Sequence, residues 1–181
     1  MRLTECLRNV VLDRWQLLPE SGGSVCLRER NVMQVQVTGL ATDSLVLRME
    51  KISLSGIKDG RWKQSCDYAI VSPGQDFDRV LFIELKRTLT DEEKGLEQLL
   101  WSLPRFEHLR SVCRIVCGSG TEQARMRYAL LAARGNPRLD KQPIKRKRSP
   151  RTKQHKGIEV ALHIVGKHES FDRLWATEVD Y

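Results

Sequence analysis

The chain has 181 residues, of which 31 are Lys or Arg and 23 are Asp or Glu, for a formal net charge of +8. This length suits one compact domain, and there is no apolar run of about 18 residues that would span a membrane. The amino-terminal segment lacks the apolar core and cleavage site of a signal peptide, so we expect a cytoplasmic protein without a membrane partner. The five cysteines include no Cys-x-x-Cys pair. Because an odd number disfavours a disulfide framework, we expect reduced and mostly buried thiols.

The first part of the chain predicts one helix followed by short strands. Apolar residues recur with a period near 3.6 over Thr4–Leu18, which predicts a helix with Thr4 as its N-cap. The next β-type runs are Ser24–Arg28, Val32–Thr38, Leu45–Leu54 and Asp67–Val71. The run Val80–Lys86 is mostly apolar, which is typical of a strand buried on both faces.

The second part of the chain alternates predicted helices and strands. Thr90 and Glu93 form a capping box at the start of a helix over Thr90–Leu103, which should end there because Pro104 follows. The further expected elements are a strand at Arg114–Cys117, a helix at Thr121–Arg134, a strand at Gly157–Lys167 and a short helix within Glu169–Tyr181. This order predicts a single α/β domain (mixed α+β) over residues 1–181, with a mixed central sheet flanked by helices.

Positive charge concentrates in one window late in the chain. Between residues 134 and 156 ten residues are basic and only Asp140 is acidic, and three prolines fall in the same window. Such a composition cannot bury enough apolar surface to fold, so we expect a mobile loop over residues 135–156. Its physical use would be to neutralise nucleic-acid phosphates, although a solvated insert or a nuclear-import signal has a similar composition. The expected phosphate-binding residues are Lys145, Arg146, Lys147, Arg148, Arg151 and Lys153.

Two carboxylates and a lysine lie on neighbouring predicted strands. Glu84 and Lys86 are two residues apart and therefore point to the same face of their strand. If the strand that Asp67 opens forms a hairpin with it, all three side chains converge. Carboxylate oxygens suit Mg²⁺, which polarises a phosphate and lowers the pKa of a bound water. The backbone carbonyl of Leu85, between the two charged side chains, is a further candidate ligand.

Sixteen residues separate Asp67 from the tripeptide Glu84-Leu85-Lys86. This pattern resembles the PD-(D/E)XK signature of restriction-endonuclease-like nucleases. The resemblance implies an αβββαβ core, with the aspartate and glutamate binding the metal and the lysine acting in catalysis. The predicted order of elements over residues 1–120 agrees with that core. Cys66 stands where the signature's name has proline, a position that varies in the family.

The resemblance also implies two auxiliary residues. Glu5 is the nearest candidate for the acidic residue that assists metal binding from the first helix. Gln98 occupies the place of a glutamine that recurs in the family's RecB-like branch, but Ser102 stands where that branch usually has a tyrosine. An exonuclease assignment is therefore not supported.

These features together predict a metal-dependent nuclease that hydrolyses phosphodiester bonds of DNA, rather than RNA, with Mg²⁺ or Mn²⁺. A homodimer is compatible with cutting two strands, and a small nuclease is compatible with a partner protein that supplies targeting, for instance in phage defence or DNA repair. The alternatives are a catalytically inactive module of the same fold that binds nucleic acid or a partner protein, and an RNase on the same scaffold. In a third alternative, a ribosome-associated basic protein, Asp67, Glu84 and Lys86 would not converge.

Overall fold

The computed structural model describes residues 2–29, 32–52, 64–88, 92–118, 124–133 and 151–176. Within these ranges the α-helices are α1 (Leu3–Val10), α2 (Glu92–Cys117) and α3 (Phe171–Trp175), and short 3-10 turns cover Asp13–Trp15 and Met49–Lys51. The strands are β1 (Gln16–Leu17), β2 (Val25–Glu29), β3 (Met33–Thr38), β4 (Leu45–Arg48), β5 (Tyr68–Ser72), β6 (Asp78–Lys86), β7 (Ala124–Ala133), β8 (Arg151–His155), β9 (Ile158–Val165) and β10 (His168–Ser170). No helix in the described part of the chain has the length and apolar character needed to cross a membrane.

A seven-stranded mixed sheet forms the centre of the fold, which confirms the predicted mixed α/β class. Its strand order is β1-β4-β5-β6-β7-β9-β8. Strands β1, β4, β5 and β6 are successively antiparallel, β6, β7 and β9 are parallel, and β8 runs antiparallel to β9. Helix α2 lies between β6 and β7 in the chain, as a parallel pair requires because its connection must return to the starting edge of the sheet.

Both faces of the sheet are covered, and the two faces of β6 show how. Val80 and Phe82 pack into a cluster with side chains of α1 and α2, whereas Leu81 and Ile83 pack into a second cluster. The second cluster includes α3 and the small sheet of strand order β10-β3-β2. Burial of β6 on both faces is therefore confirmed, and it explains the apolar run that predicted it.

Two elements in the first part of the chain end earlier than predicted. Helix α1 stops at Val10 instead of Leu18. The Gln16 side chain donates to the carbonyl of Arg8 in the last turn and to that of Val11 just after the helix. The following residues turn into β1, which pairs with β4. Strand β4 ends at Arg48 and passes into a 3-10 turn, so the predicted strand over Leu45–Leu54 is too long.

Helix α2 continues through Pro104 to Cys117, so the predicted helix end and the predicted strand at Arg114–Cys117 are both wrong. A proline inside a helix removes one hydrogen bond and costs about 3 kcal/mol. Burial of Phe106 and Cys113 beyond the proline offsets that cost, because both side chains are fully buried in the cluster under α1.

The predicted helix at Thr121–Arg134 is also wrong, because Ala124–Ala133 forms β7. This strand lies between β6 and β9 in the sheet. A segment rich in alanine and leucine has helical propensity, and here the hydrogen bonds offered by two neighbouring strands override it. The predicted strand at Gly157–Lys167 is confirmed as β9.

Part of the predicted mobile loop is ordered. Arg151–His155 forms the edge strand β8, since its backbone finds hydrogen-bond partners on β9, and residues 134–150 lie outside the described residues. After β9 the chain adds β10 to the small sheet and then the short helix α3. The remainder of the predicted terminal helix lies outside the described residues.

Cys6 and Cys117 form a disulfide, with their Cα atoms 6.3 Å apart, so the expectation of five reduced thiols is wrong for this pair. The reason is the extension of α2, which brings Cys117 against α1. Cys66 and Cys113 are buried free thiols as expected, and Cys26 is a half-buried free thiol.

Candidate active site

The structure brings Asp67, Glu84 and Lys86 together where β5 begins and β6 ends. Tyr68 pairs with Ile83 across the antiparallel strands, which places Asp67 beside Glu84. The Asp67 amide donates to Glu84 Oε2 at 3.1 Å, and the Leu85 amide donates to Asp67 Oδ2 at 2.8 Å. Each carboxylate is therefore fixed by the backbone of the opposite strand, as the hairpin interpretation requires.

Lys86 is held by two acceptors. Its Nζ atom donates to Glu84 Oε1 at 2.6 Å and to Gln98 Oε1 at 2.7 Å. Gln98 in turn donates through Nε2 to the Ser65 carbonyl at 3.3 Å. Because Gln98 lies on α2, this helix sets the position of the ammonium group.

Gly95 allows α2 to approach the sheet at this point. A Cβ atom on Gly95 would lie 2.3 Å from Leu130 Cδ1 and 3.2 Å from Lys86 Cε. A larger residue would therefore have to displace the buried Leu130 side chain or move the helix.

Two further acidic residues, Glu29 and Glu50, complete the site, and the sequence analysis missed both. One carboxylate oxygen from each of Glu29, Glu50 and Asp67 lies within 4.8 Å of the other two. Glu29 ends β2 in the small sheet, and Glu50 lies in the 3-10 turn that replaces the end of the strand predicted over Leu45–Leu54. No local spacing links these residues to Asp67, so only the tertiary fold reveals them.

Two hydrogen-bonded contacts hold the backbone beside these glutamates. The Tyr68 hydroxyl accepts from the Arg28 amide at 3.0 Å and donates to the Arg28 carbonyl at 2.7 Å, next to Glu29. The buried Arg105 guanidinium donates to the Met49 carbonyl at 2.8 Å, next to Glu50. The three carboxylates come from three segments, and the large sheet and α2 hold all of them in place.

Burial dominates the electrostatics of the site. Asp67 is 7% exposed and Glu84 1% exposed. Burial, together with the negative charges of Glu29 and Glu50, raises the pKa of Asp67 to about 7, against the opposing effects of the Leu85 hydrogen bond and Lys86. Burial and the charge of Asp67 raise the pKa of Glu84 to about 8, against the opposing effect of Lys86. Burial and Glu50 also raise the pKa of Glu29.

This donor set fits a hard divalent cation. Oxygen ligands bind Mg²⁺ at about 2.0–2.1 Å, so two oxygens on one ion are at most about 4.2 Å apart. Neighbouring oxygens on an octahedral ion are about 2.9 Å apart, so oxygens within 4.8 Å of one another reach one ion through side-chain movements of about 1 Å. Two lysines accompany the four carboxylates, Lys86 on Glu84 and Lys51 on Glu50 at 2.9 Å, and a dication would neutralise the remaining negative charge.

The structure does not bring Glu5 to this cluster. Its carboxylate accepts from the Arg2 amide at 3.0 Å, and the neighbouring Leu3 amide bonds Asp78 at the start of β6. Asp78 and Glu84 are six residues apart on one strand, or about 20 Å. Glu5 thus lies near the opposite edge of the sheet.

The remaining predicted residues divide into two groups. Leu85 lies at the site, since its amide binds Asp67, and its side chain is buried in the second cluster. Arg151 and Lys153 are exposed on β8, where Lys153 pairs with Glu92 at 2.6 Å. The predicted phosphate-binding residues Lys145, Arg146, Lys147 and Arg148 lie outside the described residues.

The sequence matches no protein-family model, no curated protein and no solved structure. The support for the candidate site is therefore its geometry. It combines oxygen donors for a cation with a positioned ammonium group, a combination suited to reactions at phosphate.

Proposed function

We propose that this protein is a metal-dependent nuclease of the PD-(D/E)XK type that hydrolyses phosphodiester bonds of DNA. The observation that carries the proposal is the convergence of Asp67, Glu84 and Lys86 on adjacent strands. The order of elements supports it, because α1, β4, β5, β6, α2 and β7 follow the αβββαβ order that the resemblance implies, with β1, β2 and β3 inserted after α1. The antiparallel pairing of β4, β5 and β6 with a parallel β7 supports it as well.

In this proposal Asp67, Glu29 and Glu50 hold Mg²⁺ or Mn²⁺, with Glu84 beside them. When bound, such an ion polarises a phosphate and lowers the pKa of a coordinated water. Asp67 is buried, Glu29 is half-buried and Glu50 is exposed, so the ion would sit between the protein interior and the solvent from which a substrate arrives.

Lys86 acts on the reacting phosphate or the attacking water. An ammonium group has three N–H donors. Glu84 and Gln98 accept two of them, which leaves the third for the substrate. Removing Gln98 or Glu84 would release the ammonium from this orientation.

A catalytically inactive binding module is the second candidate, and one observation favours it. Both Glu84 oxygens are already satisfied within the protein, by the Asp67 amide and by Lys86. If the ion pair between Glu84 and Lys86 stays intact when nucleic acid binds, the site would hold the nucleic acid without cutting it.

Cleavage assays separate these candidates. Purified protein is incubated with linear, circular and single-stranded DNA, and with RNA, in Mg²⁺, Mn²⁺ or EDTA. We expect metal-dependent DNA cleavage that falls by about 10²-fold or more in Lys86→Ala, as for loss of a group that acts in proton transfer. Glu84→Gln should also lose activity.

The matched control is Lys156→Ala, which removes an exposed lysine that pairs with Glu97 away from the site. Its activity should equal that of the unmodified protein. Cleavage that survives in Lys86→Ala would refute the assigned chemistry. DNA binding without cleavage would favour the binding module, and cleavage of RNA alone would favour the RNase.

A further inference from the structure

One edge of the seven-stranded sheet carries exposed basic residues at three strand ends. Arg87 follows β6, Lys167 follows β9, and Arg151 begins β8, and all three side chains are exposed. Strands β6 and β9 run in the same direction through β7, and β8 runs opposite. The carboxyl ends of β6 and β9 and the amino end of β8 therefore lie at one edge, which is also the edge of the candidate active site.

The register of the sheet aligns Arg151 with the site. Glu84 pairs with Leu130, Leu130 with Leu162, and Leu162 with Arg151. Paired residues share a face of the sheet, so Glu84 and Arg151 lie in one row on the same face. Three strand spacings of about 4.8 Å put the two backbone positions about 14 Å apart.

In the described part of the chain, other cations near β8 are paired with carboxylates, whereas these three are not. Lys153 pairs with Glu92 at 2.6 Å, and Lys156 pairs with Glu97. Among the described residues, by contrast, Arg87, Arg151 and Lys167 have no carboxylate partner. Three exposed cations without a carboxylate partner in the described ranges therefore lie on the edge that carries the site.

We propose that this edge binds the sugar–phosphate backbone of the nucleic acid on which the site acts, with Arg87, Lys167 and Arg151 as phosphate contacts. The assignment of the bound strand as a substrate rests on the proposed function, whereas the binding surface itself does not. Along a duplex axis one strand presents a phosphate every 3.4 Å or so, and a 14 Å separation corresponds to about four phosphates. If the duplex axis runs along this row, Arg151 contacts the strand about four nucleotides from the reacting phosphate. Lys153 contributes little because Glu92 neutralises it.

The test is the salt dependence of DNA binding. A fluorescent 30-base-pair duplex is titrated with protein in EDTA over a range of salt concentrations, so that no cleavage competes. The edge variant carries Arg87→Gln, Arg151→Gln and Lys167→Gln. Each lost duplex phosphate contact reduces the slope of log affinity against log salt by about 0.9, so the slope should fall by about 2.7.

A charge-matched control carries Arg114→Gln, Arg125→Gln and Lys156→Gln. These residues lie at the end of α2, at the start of β7 and in the turn before β9, which is the opposite edge of the sheet. The control should keep a slope within about one contact of the unmodified protein. Circular dichroism checks that both variants are folded.

Each outcome supports or overturns the proposed binding surface. A slope reduced in the edge variant alone supports the surface, even if the unmodified protein cuts nothing, in which case only the proposed function fails. Equal slopes in all three proteins overturn the surface, as does an equal reduction in both variants. Failure of the unmodified protein to bind the duplex overturns it as well.

Discussion

Replacement of Asp67 by asparagine should stabilise the metal-free protein at neutral and alkaline pH. The Asp67 carboxylate is 7% exposed, and burial raises its pKa from 3.8 to about 7. Ionising it inside the fold therefore costs about 1.4 kcal/mol for each unit of pKa, or about 4 kcal/mol in all. Asparagine keeps an oxygen that can accept from the Leu85 amide and carries no charge.

The sign of the pH dependence follows from proton binding. Between about pH 4 and pH 7 the folded protein holds a proton on Asp67 that the unfolded chain has released, so the free energy of unfolding falls as pH rises. The advantage of Asp67→Asn should grow from about 2 kcal/mol at pH 5 to about 4 kcal/mol at pH 8. For a chain of this length the larger value is a rise in Tm of the order of 10 °C.

Thermal melts from pH 5 to pH 8 in EDTA measure this effect. Melts with Mn²⁺ at pH 8 should reduce this advantage from about 4 to about 1 kcal/mol, since a bound ion stabilises only the protein that retains its ligands, by about 2.7 kcal/mol at a hundred times Kd. Asp172→Asn is the control, because that carboxylate is exposed and pairs with Arg79, which makes the pair worth at most about 1 kcal/mol. A constant difference between Asp67→Asn and the unmodified protein across this pH range would refute the reasoning.

Three further substitutions test the supports of the site. Tyr68→Phe removes the hydroxyl that holds the backbone next to Glu29, so Mn²⁺ affinity measured by calorimetry should fall about tenfold. Gly95→Ala should lower the free energy of unfolding measured in urea. The new methyl group would lie 2.3 Å from Leu130 Cδ1, a clash that costs about 1–3 kcal/mol. This cost exceeds the gain in helix propensity of about 1 kcal/mol. Cys117→Ser opens a disulfide that joins residues 111 apart and should cost about 2–4 kcal/mol, an effect that reducing agent reproduces in the unmodified protein.

Each of these substitutions has a matched control. Tyr128→Phe alters a buried tyrosine on the helix-covered face of the sheet and should leave Mn²⁺ affinity unchanged. Ser111→Ala places alanine at an exposed position of α2 and should be neutral or slightly stabilising. Cys26→Ser alters a free thiol and should keep the response to reducing agent. Equal effects in a variant and its control would contradict the structural reason given for that variant.

The part of the site that lies on neighbouring strands could be predicted from the sequence. Alternation along a strand places Glu84 and Lys86 on one face, and a short connection between antiparallel strands brings Asp67 beside them. Glu29 and Glu50 could not be predicted, because their approach depends on how the small sheet packs and on where β4 ends. Neither property has a local pattern in the sequence.

The wrong predictions also have physical causes. Ala124–Ala133 has the composition of a helix, and the sheet recruits it because β6 and β9 each offer it a parallel ladder. Pro104 usually ends a helix, but the apolar residues that follow it continue the buried stripe of α2. In both cases long-range packing outweighs a local preference of a few kcal/mol at most.

The carboxylate cluster is difficult to explain as a device for stability. Asp67 and Glu84 are buried side by side. Besides burial, the charge of Asp67 raises the pKa of Glu84, and the charges of Glu29 and Glu50 raise the pKa of Asp67. An isolated fold would gain by replacing such groups with uncharged residues of similar shape. The protein instead fixes them with backbone amides, a buried arginine and a tyrosine hydroxyl, contacts that keep the negative charges close together. Positioning of this kind is expected of a site that binds a cation and acts on phosphate, because there the electrostatic repulsion in the empty site becomes affinity for the ion.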